Sequence, residues 1–560
     1  MSEDHAADLE QLATAFWRYH LETEPTEGHL LGDYTYAGFF EDATRAAEDR
    51  RIEALRTFAS DAWAIEPGDL DDQQRLTRLV LEATATAEAD RLQTRLLDID
   101  VDPVFGPQVG IPVVLGMCGL PTPAVAEAMV EKLHGIGRYF GELADRLDEG
   151  RAAGRTPMRF AVDAALAQLD AALAAPLDAD PVLTAVPSPP EGVAADWWER
   201  VAGAVADAVR PGMARYREAI ARAAADPDGA RPDDRAGLCW VPDGERAYAA
   251  LLRYSTTTTT LSAQQIHDIG LQQVDQLAEE YRALGPEVVG SSDLATIFEA
   301  LRTDPALHFT RAEDLVSASE VALARAWEAL PAWFETLPQA PCAVGSTTTG
   351  AKAYYFPPAA DGSRGGTFFV NVDDPTSWGT FELESMAFHE GVPGHHLQLA
   401  IAGELDGVPE FRKHLHHQAY AEGWGLYTER LADEMGLYSG PVDRMGMLAA
   451  DSMRACRLVV DTGMHALGWS RQQAVDYMLA NTPLTLGMVQ PEIDRYLGNP
   501  GQATSYMVGR LELLRMRAEA QARQGDAFDV RAFHTAVLDS GSMPLGVLDE
   551  VVQRRLPTPH

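Results

Sequence analysis

Residues 6–175 carry apolar positions at helical spacing between charged ones, with alanine dominant, and the pattern predicts a run of amphipathic helices. Proline and glycine punctuate Asp102–Pro123, which reads as a turn region. The proline-rich stretch Pro176–Gly192 reads as a loop, a helix follows over about 195–225, and Asp226-Pro-Asp-Gly ends it. Thr256–Thr260 is β-branched and reads as extended. Ser262-Ala-Gln-Gln265 and Ser470-Arg-Gln-Gln473 are capping boxes that open further helices. Gly366–Val372 gives the clearest strand signal, behind a Gly-Gly turn. No repeat is visible. The fold class expected is mainly α, two-lobed, with a deep cleft and a small β-sheet beside the helix that carries the chemistry. A division into 1–230 and 231–560 is the natural reading of the break near 230, within what could be one continuous body.

Composition narrows the setting. The chain has 560 residues, 84 acidic against 45 basic, and a formal charge of −39. Only Lys132, Lys352 and Lys413 are lysines. Such a surface repels nucleic acid and anionic membrane, so neither is expected as a partner. Cys118, Cys239, Cys342 and Cys456 are far apart and form no C-x-x-C, as suits free thiols in a reducing compartment. No signal peptide or membrane-length apolar run is visible, and a cytoplasmic location is expected.

Candidate chemistry concentrates at His389-Glu390-Gly391-Val392-Pro393-Gly394-His395-His396. It opens like the zinc motif H-E-x-x-H, in which two histidines bind the ion and the glutamate activates water, but the next histidine comes two residues late. In an unbroken helix His395 lies about 120° from the face of His389 and His396 only about 20°. Pro393, with Gly391 and Gly394 beside it, makes an unbroken helix improbable and calls for a kink or bulge that re-aims a later histidine. A third ligand is expected on a second helix. Within Phe411–Leu431, Glu422 fits that place, and Glu429, two turns on, is placed to accept a hydrogen bond from a ligand histidine. His414, His416 and His417 read as bystanders. Arg457, Asp461 and His465, four apart, share a helix face; Asp461 could hold Arg457 and orient His465 beside a cleft, or the three could form a surface ladder. Tyr506 could reach a substrate carbonyl, and Asn371 or the backbone near Phe369 could hold a peptide along a strand edge.

Four segments, H-E-G-x-P-G-H-H, Y-x-E-G-W-x-x-Y-x-E, R-A-x-R-L-V-V-D-T-G-x-H and Q-A-x-S-Y-x-x-G, occur here in that order. Together they resemble the bacterial DUF885 family, uncharacterised proteins grouped with the gluzincin metallopeptidases, over about 237–556. The resemblance implies His389 as first ligand, Glu390 as general base and Glu422 as downstream ligand. Gly394-His395 is similar to the Gly-His of the angiotensin-converting-enzyme and carboxypeptidase Taq families, which implies His395 as second ligand, with His396 the alternative. Tyr506 is similar to the carboxypeptidase Taq tyrosine that polarises the substrate carbonyl, with His465 as a further stabiliser. The function implied is a Zn²⁺-dependent hydrolase cleaving short peptides or small amides, of carboxypeptidase or dipeptidase type; apart from the resemblance, Arg457 could hold a substrate carboxylate in such an enzyme. The alternatives are a zinc amidase or esterase for non-peptide substrates, and a non-catalytic acidic ligand-binding protein.

Overall fold

The computed structural model describes residues 5–258, 260–359, 362 and 364–558. Helices dominate it, with one three-stranded sheet. Its helices include α1 (Asp72–Gln93), α2 (Gly244–Thr256), α3 (Ala263–Val288), α4 (Glu382–Glu390), α5 (His395–Gly403), α6 (Gln418–Glu434), α7 (Pro441–His465), α8 (Leu486–Gly498), α9 (Ser505–Gln524) and α10 (Leu545–Arg555). The strands are β1 (Cys342–Thr347), β2 (Ala353–Phe356) and β3 (Gly366–Asn371).

Local chemistry sets the helix starts. Both capping boxes form, with Ser262 and Ser470 each accepting from the backbone N–H three residues on while the glutamine side chain reaches back. The Asp102–Pro123 region departs from its turn reading: Pro107–Met117 is a helix that Pro107 opens at its first position, and it carries Pro112 in its interior. The threonine tract also departs from its extended reading. Thr256 ends α2 and Thr257 takes a left-handed conformation, while Thr259 lies outside the described residues.

The sheet order is β1-β3-β2, β1 parallel and β2 antiparallel to β3. The strand read from sequence is thus the central one, flanked by two that were not foreseen. Phe368 and Val370 turn inward from β3 and are fully buried. Strand β2 is the edge, and it lies against α4.

Two large apolar cores form, and each draws on both sides of residue 230. One joins residues such as Phe140 and Tyr216 to Leu458 and Tyr496; the other joins Leu81 and Ala85 to Phe388, Trp424 and Leu548. Helix α7 is buried almost throughout its second half and runs against α3, α4, α6, α8 and α9. Outside the cavity lining, buried Arg412 ties distant segments. Its guanidinium donates to Gln73 Oε1 (3.1 Å) and Thr77 Oγ1 (2.9 Å) of α1 and to the carbonyl of Ser540 (2.5 Å). No described helix is long and apolar enough to cross a membrane.

Candidate metal centre

Helix α4 ends at Glu390 instead of carrying a bulge. The chain leaves the helix for Gly391–Gly394, with a cis Val392–Pro393 bond, and restarts as α5 at His395. Proline lacks the N–H that would continue the ladder. Gly394 is required by close approach, since a Cβ there would stand 1.9 Å from the carbonyl oxygen of His389. The Trp424 indole N–H donates to the carbonyl of Pro393 (3.0 Å) and pins the turn to α6.

This break brings His395 to His389, with ring centroids 4.7 Å apart and planes at 85°. Glu422 of α6 completes the group. His389 Nε2 and His395 Nε2 lie 3.6 and 3.5 Å from Glu422 Oε2. Donor atoms of the three lie within 4.8 Å of one another. Donors sharing one tetrahedral ion with bonds near 2 Å stand roughly 3.3 Å apart, so these three side chains could hold a small metal ion with slight adjustment. His396 is not available. It is fully buried, its Nδ1 bonded to the Tyr355 hydroxyl (2.9 Å) and its Nε2 to the carbonyl of Ala340 (3.0 Å). The ideal-helix angle that favoured His396 fails because no helix spans 391–394.

His389 is oriented from behind. Its Nδ1–H donates to Glu429 Oε1 (2.8 Å), which turns Nε2 toward Glu422 and His395. Glu429 is held in turn by the Ser385 hydroxyl (2.7 Å). Ser385 sits four residues before His389 on α4, a spacing from which its role was legible but was not read. Gly425 of α6 makes room for the ring, since a Cβ there would meet His389 Cε1 at 2.6 Å. Burial pushes the His389 pKa down, but the hydrogen bonds it donates to Glu422 and Glu429 and the negative field of Glu429 and Glu390 outweigh it and hold it up at about 9. Burial pushes the Glu422 carboxyl up, and the two histidines outweigh it, holding it well below the carboxylate range.

The triad opens into a cavity of about 680 Å³ where the two cores meet. Glu390 and Tyr506 both line it. The half-buried Glu390 carboxylate accepts no hydrogen bond from the described residues, so it is free to handle a proton. Burial, with Glu422 adding to it, raises the Tyr506 hydroxyl above its ordinary pKa and keeps it a donor. Arg457 also lines the cavity, stacked 4.5 Å from the Tyr506 ring. The exposed side of β2, Lys352–Tyr355, forms another wall.

Three other sequence candidates sit elsewhere. Asn371 belongs to central β3; its amide is spent on the carbonyl of Gly350 and its Oδ1 on the N–H of Asp373. The free edge beside α4 is β2. His465 is buried outside the cavity lining, accepting from the N–H of Leu238 at Nδ1 (3.2 Å) and donating to the carbonyl of Tyr496 at Nε2 (3.0 Å). Asp461 contacts neither Arg457 nor His465. It accepts from the Tyr248 hydroxyl (2.5 Å) and the N–H of Gly501 (3.1 Å), anchoring the turn that leads to Tyr506. Helix α7 is covered on all sides, so three residues on one stripe meet three different neighbours.

Solved structures share this fold over nearly the whole chain. One is titled "The crystal structure of the putative lipoprotein from Colwellia psychrerythraea"; it is 25% identical, with a TM-score of 0.87, over 99% of each chain. Another, "a putative lipoprotein of unknown function from Shewanella oneidensis", is 17% identical, with a TM-score of 0.76, over 97% of this chain and 99% of that one. No curated protein matches. A family model described as "Bacterial protein of unknown function (DUF885)" matches residues 25–552, and the chain belongs to that family.

Proposed function

We propose that the protein is a zinc-dependent hydrolase acting on the amide bonds of short peptides. The observation that carries this reading is the convergence of His389, His395 and Glu422 beside a free Glu390 carboxylate in one cavity. The donor set suits zinc: two imidazoles and one carboxylate, with Glu429 fixing the tautomer of His389 and room left in the cavity for a substrate atom. Zn²⁺ held there would supply Lewis acidity and acidify a coordinated water.

The chain's own groups supply the rest. Glu390 takes a proton from the attacking water and passes it to the departing nitrogen. The Tyr506 hydroxyl donates to the carbonyl oxygen as negative charge builds on it. Strand β2 offers backbone groups along its free edge to an extended peptide. The four free cysteines support a reducing, cytoplasmic setting. Fractionation that recovers the protein with the envelope, where the relatives' lipoprotein titles would put it, refutes that location.

Elemental analysis after mild purification should find about one zinc per chain. Absence of transition metal, with no uptake on adding Zn²⁺, refutes the proposal. Glu390→Gln should keep the metal and lose roughly 10²-fold or more of turnover on a peptide substrate. Wild-type turnover by that variant excludes Glu390 as the base.

A further inference from the structure

The cavity wall beside Tyr506 is built from two arginines of α7. Arg454 and Arg457 are 7% and 5% exposed, and both line the cavity. Among the described residues, neither is fully satisfied. Arg457 donates from Nε to the Tyr496 hydroxyl (2.7 Å) and from Nη2 to Glu492 (2.9 Å), and its buried Nη1 has no partner. Arg454 donates from Nη1 to its own helix at the carbonyl of Ala450 (3.3 Å), and its buried Nε has no partner. Its nearest carboxylate is Glu429, 3.9 Å from Nη2 and beyond hydrogen-bond length. A desolvated guanidinium with open N–H groups is costly unless an anion completes it, and its planar fork suits a carboxylate. Every other cation of the cavity is engaged: Lys352 is paired with Glu382 at 2.6 Å.

Two guanidiniums three residues apart thus face the same space as Glu390 and Tyr506, in a chain of net charge −39. The apolar side chains of Met453, Leu484 and Met488 lie beside them on the same lining. We infer that Arg454 and Arg457 form a receptor for the terminal carboxylate of the substrate, so that the protein takes peptides with a free C-terminus and an apolar last residue. The carboxylate bonds to the two guanidiniums where they line the cavity, the last side chain rests on the methionines, and the amide before it meets Glu390. This inference rests on the hydrolase reading for the reaction but not for the binding.

The test is calorimetry on the full-length, zinc-loaded Glu390→Gln protein with two probes, N-acetyl-Ala-Leu and its C-terminal amide. The acid should bind at least ~10-fold more tightly than the amide. Arg454→Gln and Arg457→Gln should each weaken the acid ~10-fold and leave the amide within about twofold, with Arg454→Lys partly restoring the acid. If Arg454 served only to brace Glu429, both probes would weaken together, and that result overturns the receptor. So do equal binding of the two probes, binding of neither, or an acid preference that survives both arginine variants, which would put the carboxylate on the metal. Should Arg457→Gln unfold because Tyr496 and Glu492 lose its guanidinium, Arg454→Gln alone decides. Failure of the hydrolase reading shows separately, as a wild-type zinc-loaded protein that cleaves neither probe.

Discussion

Gly425→Ala tests the geometry of the centre with one added methyl group. A Cβ built at Gly425 stands 2.6 Å from Cε1, 2.8 Å from Nε2 and 3.0 Å from Nδ1 of His389. Carbon atoms in contact sit roughly 3.5–4.0 Å apart, so the overlap is about 1 Å. The imidazole has no easy retreat, with Nδ1 bound to Glu429 at 2.8 Å and the His395 ring across it at 4.7 Å. In an open helix, Gly→Ala stabilises by up to ~1 kcal/mol. Overpacking a filled site costs about 1–3 kcal/mol. The metal-free variant should therefore fall between no change and a loss of ~2 kcal/mol. The displaced ring should cost 10–100-fold in zinc affinity, the scale seen when ligand orientation is disturbed. Gly203→Ala is the control, because nothing lies within 4 Å of a Cβ there. Chelator competition reads the affinity and urea unfolding the stability. A Gly425→Ala protein that binds zinc like wild type and gains stability like Gly203→Ala would show that His389 is not seated against α6.

Three further outcomes are expected. His395→Ala should lose zinc affinity by about 10²-fold or more, whereas His396→Ala should keep it and cost about 1–3 kcal/mol of stability by stranding the Tyr355 hydroxyl and the carbonyl of Ala340; equal metal loss in the two would return the assignment to His396. Tyr506→Phe should lower kcat by roughly 10²-fold with little change in KM, and an unchanged kcat would remove Tyr506 from the reaction. Burial holds His465 and His534 down at about 4, below the ordinary 6.5. The unfolded chain takes up those protons first, so the stability is complete above pH 6.5 and drains as pH falls from there toward 4, by at most about 3 kcal/mol per histidine. Urea unfolding between pH 7.5 and 4.5 checks this, and a flat profile would contradict it.

The cluster of His389, His395 and Glu422 was legible because its parts are short-range in sequence. The break at Pro393, Glu422 on the next long helix and Glu429 two turns beyond it all follow from spacing and backbone chemistry. What failed was inference from one helix face. Arg457, Asp461 and His465 share a stripe, but α7 has neighbours all round, so periodicity names the stripe without naming what it meets. Asn371 failed for a different reason. The edge strand Ala353-Tyr-Tyr-Phe356 is four residues with no alternation, too short to register as a strand, so the visible β3 was credited with the edge. Arg454 escaped notice because only the tertiary fold shows that its N–H groups lack partners.

The Arg412 clamp bears on the order in which a nascent chain can mature. Its partners are Gln73 and Thr77, synthesised early, and Ser540, synthesised after every candidate ligand. Leu548 and Val552 of α10 likewise complete a core begun by Leu81 and Ala85 of α1. Large chains usually consolidate as translation proceeds, amino-terminal units first. Here that route is closed: His389, His395 and Glu422 leave the ribosome before the far side of their own core exists. Ribosome-bound chains stopped before residue 540 should therefore stay protease-sensitive in the segments of that core, and its resistance should arrive late.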